Sequence, residues 1–166
     1  FKQAAVAADH EIASKAGVEI LRAGGNAVDA AVAASFTLSV VRPYSCGIGG
    51  GGFMIVRLAN GEAKALDFRE VAPLRATADM YKDRAEDSLI GYHAAGVPGT
   101  VAGLAEVHRK YGKLPWSRVV EPSVNLAGSG FALPDGLAKS LRSAVRSFTR
   151  FPASMKQFTP KSGAFQ

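Results

Sequence analysis

The stretch Ser45-Cys46-Gly47-Ile48-Gly49-Gly50-Gly51-Gly52-Phe53-Met54-Ile55-Val56 places five glycines in six positions, directly before an apolar run. Gly47-x-Gly49-x-x-Gly52 has the spacing of a dinucleotide fingerprint, and Asp67 and Glu70 follow at about the separation at which such fingerprints carry an acid. Two readings compete. The loop either cradles a phosphate or lets two pieces of backbone come together. A dinucleotide loop leaves a strand and enters a helix whose N-terminus faces the pyrophosphate. Here a helical stretch and Pro43 come first, then the glycines, then a strand, and no lysine follows as in a P-loop. Glycines at a strand entrance mark close backbone approach or positive φ. The expectation is a structural loop that packs the helix upstream against the strand downstream.

Upstream, Asp9 is positioned to cap a helix from His10 to about Ala23, with Ile12, Ala16, Ile20 and Leu21 on its buried stripe and Gly24-Gly25 ending it. Asn26 caps a second helix running to about Val41, where Arg42-Pro43 stops it. Between Asn26 and Val41 only Asp29 is charged, and small apolar residues run all round the helix, the pattern of a buried core helix. A membrane span is disfavoured, because alanine is weakly hydrophobic and the flanks lack anchors.

Downstream, Phe53 to Ala59 and Glu62 to Phe68 flank Asn60-Gly61, which suits a two-residue type I′ hairpin turn. That register pairs Leu58 with Ala63, Val56 with Ala65 and Ile55 with Leu66, and sets Arg57 opposite Lys64. Both faces of the hairpin are apolar away from the tip, so layers are expected above and below it, one of them the buried helix. Two strands do not make a stable sheet alone, and the remaining chain reads as helices. These are Val101 to Tyr111 capped by Thr100, two short helices around Trp116 to Ala127 broken at Pro122, and Asp135 to Phe148. The last sets Leu137, Leu141, Val145 and Phe148 on one face and Lys139, Arg142, Arg146 and Arg150 on another. Residues 151–166 read as an irregular tail.

The 166 residues carry a net charge of +6 and are 48% hydrophobic. This describes a globular α/β or α-rich unit that tolerates anionic substrates. No nucleic-acid-binding motif is present, and neither a nucleic acid nor a membrane is an expected partner. One cysteine, Cys46, excludes an internal disulfide. No motif pairs it with a histidine, and His10, His93 and His108 lack metal-ligand spacing, so no metal or cofactor is expected.

Several stretches together resemble the gamma-glutamyltransferase family: Ala23-Gly24-Gly25-Asn26-Ala27-Val28-Asp29-Ala30-Ala31-Val32-Ala33, the glycine loop itself, Leu66-Asp67-Phe68-Arg69-Glu70, Val97-Pro98-Gly99-Thr100-Val101-Ala102-Gly103 and Tyr111-Gly112-Lys113-Leu114-Pro115-Trp116. The resemblance runs from about Ala5 to Leu137 and covers the first part of the family's large subunit. It implies an α/β N-terminal-nucleophile hydrolase, a four-layer αββα sandwich to which residues 1–166 contribute helices and a hairpin as part of one domain. It implies a self-cleaving precursor and a partner, the small subunit, whose N-terminal threonine attacks the γ-glutamyl amide of glutathione or a related compound. A periplasmic or secreted location is favoured by the same resemblance. Arg69 matches the arginine that binds the substrate's α-carboxylate, a task suited to a planar, permanently charged fork. Glu70 is assigned the support of Arg69. From the residues alone, an ion pair of Arg69 with Asp67 or Glu70 is the competing reading. The family's Thr-Thr-His nucleophile motif does not occur, and Thr37, Thr77, Thr100, Thr149 and Thr159 are internal, without a free amine to act as base. No catalytic residue is therefore expected in this chain. A glutaryl or cephalosporin acylase of the same scaffold, or a non-catalytic binding module derived from it, is the alternative.

Overall fold

The computed structural model describes residues 3–159, which gather into two compact units meeting at Ser129 and Gly130. The first contains α1 (Glu11–Arg22), α2 (Ala27–Val41), β1 (Phe53–Arg57), β2 (Ala63–Asp67), α3 (Thr100–Tyr111) and α4 (Trp116–Ser129). The second contains α5 (Asp135–Phe148) and α6 (Pro152–Phe158).

Helix α2 is the centre of the first unit. Asn26 and Asp29 form a reciprocal capping box: the Asn26 side chain accepts from the Val28 and Asp29 amides, and the Asp29 carboxylate accepts from the Asn26 amide. Asp29 is fully buried and does more than cap. Its carboxylate also accepts from the Lys113 and Leu114 amides and lies 3.3 Å from His108 Nε2, while Asn26 Nδ2 donates to the Tyr111 carbonyl at 2.6 Å. One carboxylate thus ties the start of α2 to the turn between α3 and α4. Around it, Val32, Leu104, Val107 and Val119 are buried, joined by Phe36 and Trp116 in an edge-to-face pair with centroids 5.5 Å apart. Helix α1 starts one residue later than expected, because His10 rather than Asp9 caps it, its Nδ1 accepting from the Ile12 amide.

The hairpin forms where the sequence puts it, in a different register. Val56 pairs with Lys64, Ile55 with Ala65 and Phe53 with Asp67. Leu58 bonds Glu62, so the loop is the three-residue Ala59-Asn60-Gly61, with Gly61 alone at positive φ, +86°. That is the type I turn followed by a left-handed glycine, the alternative to the two-residue turn. The shift separates Arg57 from Lys64, which instead pairs with Glu62 at 2.5 Å. One face of the hairpin, carrying Met54, Val56, Leu58, Leu66 and Phe68, packs into the core. On the other, Phe53 and Ile55 stand 66% and 77% exposed, so among the described residues only one face is layered.

Three further expectations are corrected. Pro122 does not break α4, which is continuous with Pro122 inside it; Val119 and Ser123, one turn apart and both buried, carry the helix past the missing amide. The Thr100 hydroxyl does not cap α3 and donates instead to the Gly47 carbonyl at 3.3 Å. The tail is not irregular at 152–158, where α6 starts on Pro152 at its first turn; residues 160–166 lie outside the described residues. In the second unit, Leu137 is buried, the Phe148 and Phe158 rings stack, and Lys139, Arg142, Arg146 and Arg150 are exposed.

Candidate functional site

The glycine loop and the end of β2 build one feature between them. Gly52 and Phe68 exchange both backbone hydrogen bonds, extending the ladder to its open end. A Cβ on Gly51 would lie 2.6 Å from the Phe68 carbonyl oxygen and 2.8 Å from both Arg69 Cα and the Glu70 nitrogen. A Cβ on Gly99 would lie 2.0 Å from the same Phe68 oxygen. Residues 68–70 are therefore held between two bare backbones. The Gly50 carbonyl completes the clamp by accepting from the Gly99 and Thr100 amides. Close approach, rather than positive φ, is the reason for Gly51, Gly52 and Gly99; none of Gly47 to Gly52 has positive φ, and a Cβ on Gly47, Gly49 or Gly50 would meet nothing closer than 3.4 Å. What approaches is the chain leaving β2, not α2 as the sequence suggested. The Gly99 and Thr100 amides, at the start of α3, are spent on Gly50.

This clamp presents Arg69 and Glu70. The Arg69 amide donates to Asp67 Oδ1 at 2.9 Å, which turns the chain as it leaves the strand. The Arg69 side chain is 62% exposed, and its Nε donates to Glu70 Oε2 at 3.2 Å. Its guanidinium carbon stands over the Phe53 ring, 5.7 Å from the centroid. Among the described residues, Glu70 is the one carboxylate within ion-pair distance of Arg69, and it takes Nε. The edge formed by the two terminal nitrogens faces no protein acceptor among those residues, and that edge fits a carboxylate fork. The Glu70 backbone amide, then the Arg69 guanidinium, hold the Glu70 carboxyl below the usual carboxylate range, with a smaller contribution from the Gly51 amide. Glu70 thus stays ionised beside Arg69. The structure brings together both residues expected at the site and pairs Arg69 with Glu70 rather than Asp67.

Glu70 also lines a cleft of about 320 Å³ with Ser39, Cys46, Gly50, Met54 and Thr100, while the Arg69 side chain stands outside it on the open face. A larger depression, beside the N-terminal segment and α2, has no titratable group in its lining. The other candidates are committed elsewhere. The hydroxyls of Thr37, Thr77, Thr100, Thr149 and Thr159 all donate to acceptors close by. His93 bonds Asp87, and His108 bonds the Leu114 carbonyl beneath Trp116. Among the described residues, no group of three or more His, Cys, Asp or Glu is placed to hold a metal. None of the described helices is long and apolar enough to cross a membrane. Phe53 was not anticipated at this site, since only the observed register puts it beside Arg69.

The crystal structure of Helicobacter pylori gamma-glutamyltranspeptidase matches 98% of this chain with a TM-score of 0.94 and 44% identity, over 48% of its own length. That likeness defines the class, the α/β N-terminal-nucleophile hydrolase fold, to which this chain contributes helices and a hairpin. The glutathione hydrolase proenzymes of Pseudomonas sp. (strain A14) and Escherichia coli (strain K12) are each 47% identical, over 87% and 85% of the chain. The family model described as Gamma-glutamyltranspeptidase matches residues 13–166, and the chain belongs to that family. It spans about a quarter of the length of the two proenzymes, 26% and 25%.

Proposed function

We propose that this chain is the large-subunit part of an enzyme that transfers or hydrolyses γ-glutamyl groups, and that Arg69 holds the donor's α-carboxylate. The observation that carries the reading is the state of Arg69: an exposed guanidinium with Nε taken by Glu70 and its terminal edge open. Two parallel charge-assisted hydrogen bonds from that edge would fix both position and orientation of a carboxylate. Glu70 supports the arrangement by holding Nε, so that the terminal edge is the one presented. The donor would be glutathione or a related γ-glutamyl compound, in keeping with the names of the relatives above.

The nucleophile belongs to another polypeptide in this reading, the small subunit cut from the same precursor. Its N-terminal threonine would attack the γ-carbonyl with its own amine as base, release the amine product, and pass the γ-glutamyl group to water or to an amino acid. Two observations support such a partner. The outer face of the hairpin is apolar and open, with Phe53 and Ile55 exposed. The excursion from Pro73 to Ala95 likewise exposes Leu74, Leu89 and Tyr92, an apolar surface suited to burial against further chain.

The test is to purify residues 1–166 alone and in company with the rest of the precursor. The isolated chain should fold poorly and release no chromophore from a γ-glutamyl anilide. The complete protein should fold and release the chromophore, and its second polypeptide should begin on threonine. Robust turnover by the isolated chain would overturn the proposal.

A further inference from the structure

We infer that Phe53 is a positioning residue for the donor site, a ring that fixes the plane of the Arg69 guanidinium and thereby the direction of its carboxylate-binding edge. The inference rests on the reading of Arg69 given above and names a residue that this reading does not use.

The geometry follows from the hairpin register. Gly52 and Phe68 exchange both ladder hydrogen bonds, so the next pair, Phe53 and Asp67, is a non-hydrogen-bonded pair, the kind whose side chains stand closest. Arg69 is two residues beyond Asp67, which makes it the diagonal neighbour of Phe53, within reach of a long side chain across from an aromatic. The guanidinium carbon does stand over the ring, 5.7 Å from its centroid. Glu70 meets the same guanidinium at its Nε edge. A planar cation held on one face by a ring and along one edge by a carboxylate keeps little rotational freedom. Its remaining edge then points one way before any ligand arrives, so less entropy is lost on binding.

The same arrangement gives the glycine clamp a further purpose. Gly51 and Gly52 fix where β1 begins, and Phe53 is its first residue.

The test uses the complete protein with Phe53→Leu, Phe53→Tyr and Arg69→Lys, and two donors. One is γ-glutamyl p-nitroanilide. The other is 4-aminobutyryl p-nitroanilide, which keeps the amine and lacks the α-carboxylate. Phe53→Leu should raise KM for the γ-glutamyl donor about fivefold, the worth of one exposed cation–π contact, with kcat within about twofold. Phe53→Tyr should restore the wild-type KM, since it keeps the π-face. The 4-aminobutyryl donor should not distinguish Phe53→Leu from wild type. In an Arg69→Lys background, Phe53→Leu should add less than about twofold. An unchanged KM in Phe53→Leu overturns the inference while a strong Arg69→Lys effect leaves the donor-site reading standing. Equal losses for both donors, or a failure of Phe53→Tyr to rescue, also overturn it, because each marks a merely structural role. An Arg69→Lys variant with unchanged kinetics overturns both readings.

Discussion

Gly51→Ala adds a single methyl group where the structure has no room for one. Its Cβ would stand 2.6 Å from a carbonyl oxygen and 2.8 Å from two further backbone atoms, against about 3.4 Å for ordinary van der Waals contact. None of the three belongs to a side chain that can swing away. Either the loop or residues 68–70 must therefore move by 3.4 − 2.6 = 0.8 Å, in a segment also pinned by the Gly52–Phe68 and Gly50–Thr100 bonds. Overpacking of this kind costs about 1–3 kcal/mol. The neighbouring Gly50 is an internal control. Its nearest contact would be a Glu70 carboxylate oxygen at 3.4 Å, so Gly50→Ala should cost less than about 0.5 kcal/mol. Denaturation midpoints of the two variants in the complete protein read the difference directly. Gly51→Ala should also lower kcat/KM for a γ-glutamyl donor, because the displacement falls on Arg69 Cα. Equal stability of both variants and wild type would refute the clamp, and so would Gly50→Ala behaving as badly as Gly51→Ala.

Leu104→Ala should destabilise by about 2–5 kcal/mol in the same measurement, since the side chain is 1% exposed at the centre of the core. Asp29→Asn should destabilise by about 1–3 kcal/mol, because an amide NH₂ would face the Asn26, Lys113 and Leu114 amides where an oxygen now accepts. Glu106, hydrogen-bonded first by Arg109 and then by Lys110, is held at about 2, below its ordinary 4.5. Its contribution to stability is therefore present above about 4.5 and lost as pH falls through about 2; Glu106→Gln should flatten that acid limb slightly in acid titrations of the melting temperature, and 1 M salt should erase the difference.

Helix α2 was legible to the residue because both its ends are local: Asn26 caps it and Arg42-Pro43 stops it. Helix α5 was equally legible from its apolar face. The hairpin was legible in place but not in register, because Asn60-Gly61 serves either a two-residue turn or a three-residue loop with a left-handed glycine. The core decides between them. The observed register pairs Met54 with Leu66 and Gly52 with Phe68 on the face that meets the helices. The one-residue shift also decides the site, since it sets Phe53 opposite Asp67 and diagonal to Arg69. Periodicity and motif give no access to that neighbour. Pro122 misled for a related reason, because burial of the turns on either side outweighs one missing hydrogen bond. The Asp29 network had a signal that went unused. Asn26-x-x-Asp29 is a capping-box spacing, although its link to the turn after α3 is tertiary.

The most direct measurement is the ratio of kcat/KM for γ-glutamyl p-nitroanilide to that for its 4-aminobutyryl analogue, in the complete wild-type protein and in a folded, processed Arg69→Lys variant. The ratio isolates the α-carboxylate, because the two donors differ in that group alone. Losing the fork while keeping the charge should shrink the ratio at least about tenfold, as loss of a charge-assisted hydrogen bond requires. An unchanged ratio would contradict the assignment of Arg69 as the residue that holds the donor.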